Sequence, residues 1–196
     1  FRTSLALNIF DFTNKENSDI FRTASPFPPT RNRTMSTDAK SMSLIVTKGS
    51  LDWGYPPFIL ATTAAAMGLN VTMFFTFYGL GLLLKDFKPQ ISTLGNPAMK
   101  MPMGGMHMAL PNMVSAIPGA DAAASMMMKN LIKKKGVASL EDLREAAIDS
   151  DVRMIACQMT LDLFEYDIKD MIDGPEIGGA ATYIECATQC DINLFI

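Results

Sequence analysis

A single histidine, His107, occurs in the 196 residues, so no metal centre that needs several imidazoles can be built from this chain. A Cys-His-Asn hydrolase would have to take its base from that residue, which lies in a Met/Gly/Pro segment that makes a poor platform for a general base. Cysteine is nearly as scarce. Cys157, Cys186 and Cys190 are an odd number and do not make a disulfide framework. The expected setting is therefore a reducing compartment, the cytoplasm. Phosphate-cradling loops are missing as well: neither G-x-x-x-x-G-K-S/T nor G-x-G-x-x-G follows the first apolar run. No cofactor and no metal are expected. Basic residues are few beyond the start of the chain, with twelve Lys/Arg against seventeen Asp/Glu over residues 35–196. Lys133-Lys134-Lys135 is the one basic run there, and it reads as a solvated helix end. Nucleic acid, which requires a broad basic surface, is excluded as a partner.

Residues 1–34 differ from the remainder of the chain. They are rich in Ser, Thr, Asn, Pro and Arg, and they repeat Phe-Arg-Thr at 1–3 and 21–23. Their apolar patch, Leu5 to Phe12, is interrupted by Asn8 and Asp11 and is too weak for a signal-peptide core. The expectation is a disordered leader, tag or upstream extension over 1–34, whose arginines also fit an organellar transit peptide, and then one domain over 35–196.

Within that domain, Ser41–Thr47 reads as a strand and Lys48–Tyr55 as a loop. Pro56 and Pro57 read as the opening of a helix that reaches Met67. Val71–Phe77 is a β-branched and aromatic strand, followed by a short helix over Leu80–Lys85, and Ile91–Leu94 is a further strand candidate. Helices are expected over Ala120–Lys135 and from the N-cap Ser139 to about Ser150. A strand carrying Cys157 follows, then a helix to Phe164 and a helical turn near Ile168–Ile172. A last helix opens at Gly178-Gly179, and a closing strand runs from Ile192 to Ile196. Apolar strands alternating with helices predict a three-layer α/β/α sandwich on a parallel, about five-stranded sheet. Trp53–Leu84 carries no charge, which raises the question of a membrane span. The Gly68-Leu69-Asn70 break and the change from Ala/Thr/Leu to Val/Phe/Thr favour a buried helix followed by a central strand.

Val152–Thr160 is the stretch around which the domain is organised. A short apolar run ends at Cys157 and an amphipathic segment begins at once, so the cysteine falls at a strand-to-helix junction. Loops at the carboxyl ends of parallel strands form the crevice of an open α/β sheet. There a thiol meets backbone N–H groups and the positive end of a helix dipole, both of which favour thiolate. Asp52, Trp53 and Tyr55, after the first strand, and Tyr78, after the second, are expected along the same edge, as is Gly178-Gly179. Read singly, each of these residues fits capping or loop packing equally well.

Several motifs together resemble the DsrE/DsrF-like proteins, in the branch labelled peroxiredoxin-like. They are Lys48-Gly49-Ser50-Leu51-Asp52-Trp53 with Tyr55-Pro56-Pro57; Phe75-Thr76-Phe77-Tyr78-Gly79-Leu80; Gly95-Asn96-Pro97-Ala98-Met99; Ile155-Ala156-Cys157-Gln158-Met159-Thr160; and Asp173-Gly174 with Gly178-Gly179-Ala180-Ala181-Thr182-Tyr183. The resemblance implies a flavodoxin-like fold and a sulfur carrier or sulfurtransferase. In that reading Cys157 takes sulfane sulfur as a persulfide and passes it to an acceptor thiol. The implied partners are the donor and acceptor proteins of a relay. The backbone N–H groups of Gln158 and Met159 are placed to hold the anion.

Sixteen methionines are unusual, and seven residues of one Pro/Gly-rich stretch, Met99, Met101, Met103, Met106, His107, Met108 and Met113, are thioethers or imidazole. This insertion, near 96–118, is expected to contact another copy of the chain or a partner, giving a homo-oligomer. The rival readings are a non-catalytic module that binds a partner or Cu(I), a soft ion suited to thioethers, membrane contact through the same stretch, and a thiol peroxidase-like oxidoreductase. Cys186 and Cys190 stand four apart, on one helix face, and read as incidental buried cysteines.

Overall fold

Alternate residues of the central strands face opposite layers, and the two layers differ in chemistry. The computed structural model describes residues 40–92, 100–103, 106–109 and 120–196. The side chains of residues 100–103, 106–109 and 120–121 lie outside that description, as do the leader expected over 1–34 and the Met-rich side chains of the insertion. The elements are β1 (Ser41–Val46), α1 (Leu51–Ala66), β2 (Asn70–Phe75), a 3-10 helix (Phe77–Leu83), β3 (Lys100–Met103) and β4 (Met106–Ala109). They continue as α2 (Ala120–Lys134), α3 (Leu140–Asp149), β5 (Arg153–Cys157), α4 (Gln158–Phe164), a 3-10 turn (Ile168–Asp170), β6 (Glu176–Gly178), α5 (Ala180–Ala187) and β7 (Ile192–Phe195).

Five strands form one sheet in the order β6-β5-β2-β1-β7, and all neighbouring pairs are parallel. The α/β architecture expected from the sequence is therefore present. Leu44, Val46, Met73, Phe75, Met154 and Ala156 point to one face and join Phe58, Ala61, Leu140 and Ala147 from α1 and α3 in the main core. The opposite face holds Phe74, Ile155 and Cys157 beneath Tyr183 of α5. Handedness accounts for this division. The chain steps β1→β2→β5→β6 in one direction across the sheet and then returns past β1 to β7. A right-handed crossover puts the last connecting helix on the face opposite the others.

Membership of the sheet departs from expectation in one place. Ile91 and Ser92 are not in a strand, and the rest of the proposed 91–94 strand is outside the described residues. The fifth strand is Glu176–Gly178, which pairs with β5 through Ile155↔Glu176, Ala156↔Ile177 and Cys157↔Gly178. Its sequence shows no apolar alternation. Pairing and a two-pronged ion pair hold it: the Arg153 guanidinium donates to both Glu176 carboxylate oxygens at 3.0 Å.

The first helix also begins earlier than Pro56. It starts at Leu51, so the segment Leu51–Tyr55, expected as loop, is helical and both prolines lie inside the helix. Proline removes the bonds to the carbonyls of Asp52 and Trp53. Both residues are exposed, so water can take those carbonyls. Tertiary contacts fix the first turn: Leu51 N–H donates to Gln90 O at 2.8 Å, and the Asp52 carboxylate accepts from Ser92 N–H at 2.9 Å and from the Ser92 hydroxyl.

The uncharged run from Trp53 is divided among α1, β2 and the 3-10 helix, which also replaces the expected helix over 80–85. No described helix is long and apolar enough to cross a membrane. β3 and β4 form a separate antiparallel pair, with Met103 opposite Met106. Only two residues, both glycine in the sequence, separate the strands, which is a hairpin signal that the methionine content obscured.

Ser139 caps α3 as expected. Its hydroxyl accepts from Asp142 N–H at 3.1 Å while the Asp142 carboxylate accepts from Ser139 N–H at 2.8 Å, a reciprocal capping box. Ser139→Ala is expected to lower stability by about 1 kcal/mol. Urea unfolding would show it as a reduced midpoint at unchanged slope.

Candidate functional site at the carboxyl edge of the sheet

Cys157 is the last residue of β5 and the N-cap of α4, the junction read from the sequence. Gly178, its partner across the ladder, ends β6, and Gly179 is the N-cap of α5. The connection leaving β5 enters α4, whose Leu161 packs in the main core. The connection leaving β6 enters α5, whose Tyr183 packs on the opposite face. Two neighbouring strands whose exits go to opposite faces define the crevice of an open α/β sheet. Cys157 sits at that divergence, between the amino ends of two helices whose N-cap residues, Cys157 and Gly179, make no side-chain capping bond.

The thiol is sheltered, because Cys157 is only 4% exposed and packs with Ile155, Phe74 and Tyr183. Phe74 and Tyr183 stack at 5.1 Å between ring centres. Glycine at 178 lets this packing close, since a Cβ there would lie 2.7 Å from the Ile155 side chain. At Gly179 a Cβ would meet no described residue within 4 Å, so among the described residues the space beside the α5 amino end is open.

Thr160, in the first turn of α4, anchors the neighbouring loop. It is 1% exposed, its hydroxyl accepts from Phe77 N–H at 3.1 Å, and it shares a hydrogen bond with the Thr76 hydroxyl at 3.2 Å. Phe77 is thereby held at φ 47°, the left-handed region that costs a residue with a side chain about 1 kcal/mol or more. The consequence is that Tyr78 lies over α4 and stacks on Phe164 at 5.7 Å. Phe77, Tyr78, Met159 and Leu163 are all exposed, and they form an apolar lip on the loop after β2 and on α4.

The other residues singled out from the sequence divide into two groups. Gln158, Met159, Gly178 and Gly179 adjoin Cys157 along the chain or across the ladder, and the Gln158 side-chain amide donates to Asp162 at 2.9 Å. Asp52, Trp53 and Tyr55 are occupied with packing. The Asp52 carboxyl is held below its ordinary range. Partial burial pushes it up, but the bonds from Ser92 and Ser50 outweigh burial and pull it down. The stability this carboxylate contributes is present at neutral pH and is lost as pH falls through its lowered pKa. Lys48 lies with its ammonium 3.4 Å from the centre of the Trp53 ring. The Tyr55 hydroxyl donates to Ala138 O at 3.0 Å, tying α1 to the segment before α3, and burial with Glu141 and Asp142 nearby raises its pKa. Sequence reasoning misses Thr160 and Thr76, because a threonine in a helix or at a strand end gives no signal of a distant partner.

The model of the DsrE/DsrF/DrsH-like family matches residues 38–195. A protein of Allochromatium vinosum named sulfur carrier protein DsrE2 is 52% identical over 159 residues, which are 81% of this chain and 99% of that protein. The uncharacterized protein YrkE of Bacillus subtilis is 32% identical over 165 residues, 83% of this chain and all of that one. Among solved structures, the ychN protein of E. coli aligns with 80% of this chain and 99% of its own, at 12% identity and a TM-score of 0.47.

Proposed function

Since the chain belongs to the DsrE/DsrF/DrsH-like family, we propose that it is a sulfur carrier that holds sulfane sulfur as a persulfide on Cys157. The observation that carries this reading is the position of Cys157 at the β5/β6 divergence, between two helix amino ends whose N-cap residues make no side-chain capping bond. The name of the Allochromatium relative, a sulfur carrier, supports it.

The chemistry needs a thiolate and a route to it. The Cys157 thiolate attacks the outer sulfur of a donor persulfide; a new S–S bond forms, the donor S–S bond breaks, and the donor leaves as thiolate. An acceptor thiolate then attacks the outer sulfur of Cys157–S–S⁻, and Cys157 thiolate is the leaving group. No electrons are gained or lost overall and no general base is required, which suits a chain with one histidine. The N–H groups of Gln158 and Met159 and those at the start of α5 favour the anion. Access is from the open side at Gly179, and the exposed lip of Phe77, Tyr78, Met159 and Leu163 is the surface against which a donor or acceptor protein rests.

Intact-mass measurement after exposure to a persulfidated donor protein tests the reading. The expected gain is about 32 Da per sulfur atom, reversed by a thiol acceptor. Trypsin cleaves after Arg153 and Lys169, so the sulfur should map to peptide 154–169. A protein that gains no mass, or gains it on another peptide, would not be carrying sulfur on Cys157.

A further inference from the structure

The other two cysteines lie at the opposite edge of the sheet, in a polar environment of their own. Ser43, Thr72 and Arg153 form one cross-strand row at the amino ends of β1, β2 and β5, and they share the face covered by α5. Ser43 and Thr72 are buried. The Cys186 thiol, in the last turn of α5, donates to the Thr72 hydroxyl at 3.4 Å. Arg153, which pairs with Glu176, is the ladder partner of Thr72 and so stands beside the hydroxyl that the Cys186 thiol contacts. The Cys190 thiol donates to Cys186 O at 3.3 Å, and its surroundings include the Cys186 thiol and the hydroxyls of Ser41 and Ser43. Both cysteines are free and half-buried.

From this arrangement we infer that Cys186 and Cys190 form a second thiol site, a dithiol that closes to a disulfide by reducing the sulfur–sulfur bond of a small disulfide or polysulfide. Cys186 is the attacking thiol, because its sulfur lies against Thr72 in the same row as Arg153, whose guanidinium can pair with the attacking sulfur. Burial, and the Cys186 thiol next to it, push the Cys190 thiol up and keep it protonated until the second step. In the first step the Cys186 thiolate attacks RS–SR, giving Cys186–S–SR and RS⁻. In the second, Cys190 displaces RS⁻ from Cys186, forming the Cys186–Cys190 bond, and its proton passes to the leaving thiolate. The pair loses two electrons and the donor bond gains them; with a polysulfide the final leaving group is sulfide or a shorter polysulfide.

Chain geometry permits closure. Residues four apart in a rigid helix hold their Cβ atoms about 5–6 Å apart, wider than the roughly 3.8 Å of a disulfide. Here α5 ends at Ala187, and Cys190 lies beyond it in a turn closed by Cys190 N–H to Ala187 O at 3.2 Å. The turn can take up the difference without unwinding the helix. Asp191, the next residue, accepts from Ser41 N–H at 2.7 Å, so closure acts directly on the start of β1.

Trypsin leaves both cysteines on peptide 170–196 and Cys157 on 154–169, so the two sites report separately. Reduced full-length protein would be exposed to glutathione disulfide in one arm and to inorganic polysulfide in the other, alkylated and digested. The expected result is peptide 170–196 lighter by about 2 Da and unalkylated, with the same closure in Cys157→Ser, which separates this site from the carrier reading. Cys190→Ser should accumulate the glutathione adduct on Cys186, whereas Cys186→Ser should leave Cys190 largely unmodified. Arg153→Met should slow adduct formation about tenfold or more and Arg153→Lys should restore much of it. Closure in one arm alone would fix the donor class. Full alkylation of both cysteines in both arms, or an adduct that forms first on Cys190, would overturn the assignment.

Discussion

Cys157→Ser protein, incubated with a persulfidated donor, is expected to retain no sulfur on peptide 154–169, and turnover to an acceptor thiol should fall to background. The effect is large because nothing else at the carboxyl edge can replace the nucleophile. Among the described residues the other two thiols, Cys186 and Cys190, belong to the amino edge, beside Thr72 and the Arg153–Glu176 pair. A serine hydroxyl remains protonated at neutral pH and is no substitute for a thiolate. Because Cys157 is the N-cap of α4, a serine hydroxyl there can accept from the free N–H groups of the helix start and should stabilise that end. Cys157→Ala, which brings no hydroxyl, provides the second variant. Both should fail to load, and the alanine form should unfold at nearly the wild-type denaturant concentration. Loading at the normal rate in the folded alanine variant would remove Cys157 from the chemistry. If that loading vanished only after Cys186 and Cys190 were also replaced, the carrier site would move to the end of α5.

How much of this edge is legible in the sequence depends on how far apart the interacting residues lie. The junction at Cys157 is legible because its signals are local: a β-branched and apolar run, then an amphipathic one, with the cysteine at the change of period. Ser139 is legible for the same reason, since a cap and its partner lie three residues apart. β6 is not, because Glu176-Ile177-Gly178 gains its strand character from β5 and from Arg153, 23 residues away. The start of α1 is hidden behind a sound local rule about proline that contacts with Gln90 and Ser92 override. Thr160 illustrates the limit most plainly. It holds a strained loop 83 residues distant, and no spacing in the chain announces that. Tyr55 shows the same limit, for its sequence fits either the edge or packing, and only the structure shows its hydroxyl joining α1 to the segment before α3.

Gly79→Ala is expected to be the most damaging single substitution outside the apolar core. Gly79 stands where the loop after β2 crosses the end of β1, and a Cβ added there would lie 2.2 Å from Val46 O and 2.7 Å from its carbon. These are backbone atoms of a central strand and cannot swing aside as a side-chain tip would. The approach is reciprocal, since a Cβ on Gly49 would lie 2.2 Å from Tyr78 O. A methyl group at 79 must therefore lift the 3-10 helix away from β1. That movement weakens the bonds from Gly79 N–H to Thr47 O and Thr76 O, at 3.0 and 3.1 Å, each contributing about 1 kcal/mol. It also loosens Leu80, Leu82 and Leu83, all fully buried, adding an overpacking strain of about 1–3 kcal/mol. The combined loss, about 3–5 kcal/mol, is a large share of the roughly 5–15 kcal/mol that holds a domain together. Gly81 supplies the control from the same 3-10 helix, because a Cβ there meets no described residue within 4 Å. Gly81→Ala should leave stability within about 0.5 kcal/mol of wild type. Urea unfolding of the two variants side by side makes the comparison, and equal midpoints would contradict the close approach of these loops. The displaced loop also carries Phe77 and Tyr78 and is anchored on Thr160 beside Cys157. Sulfur loading by whatever Gly79→Ala protein remains folded should therefore slow, while Gly81→Ala protein loads at the wild-type rate.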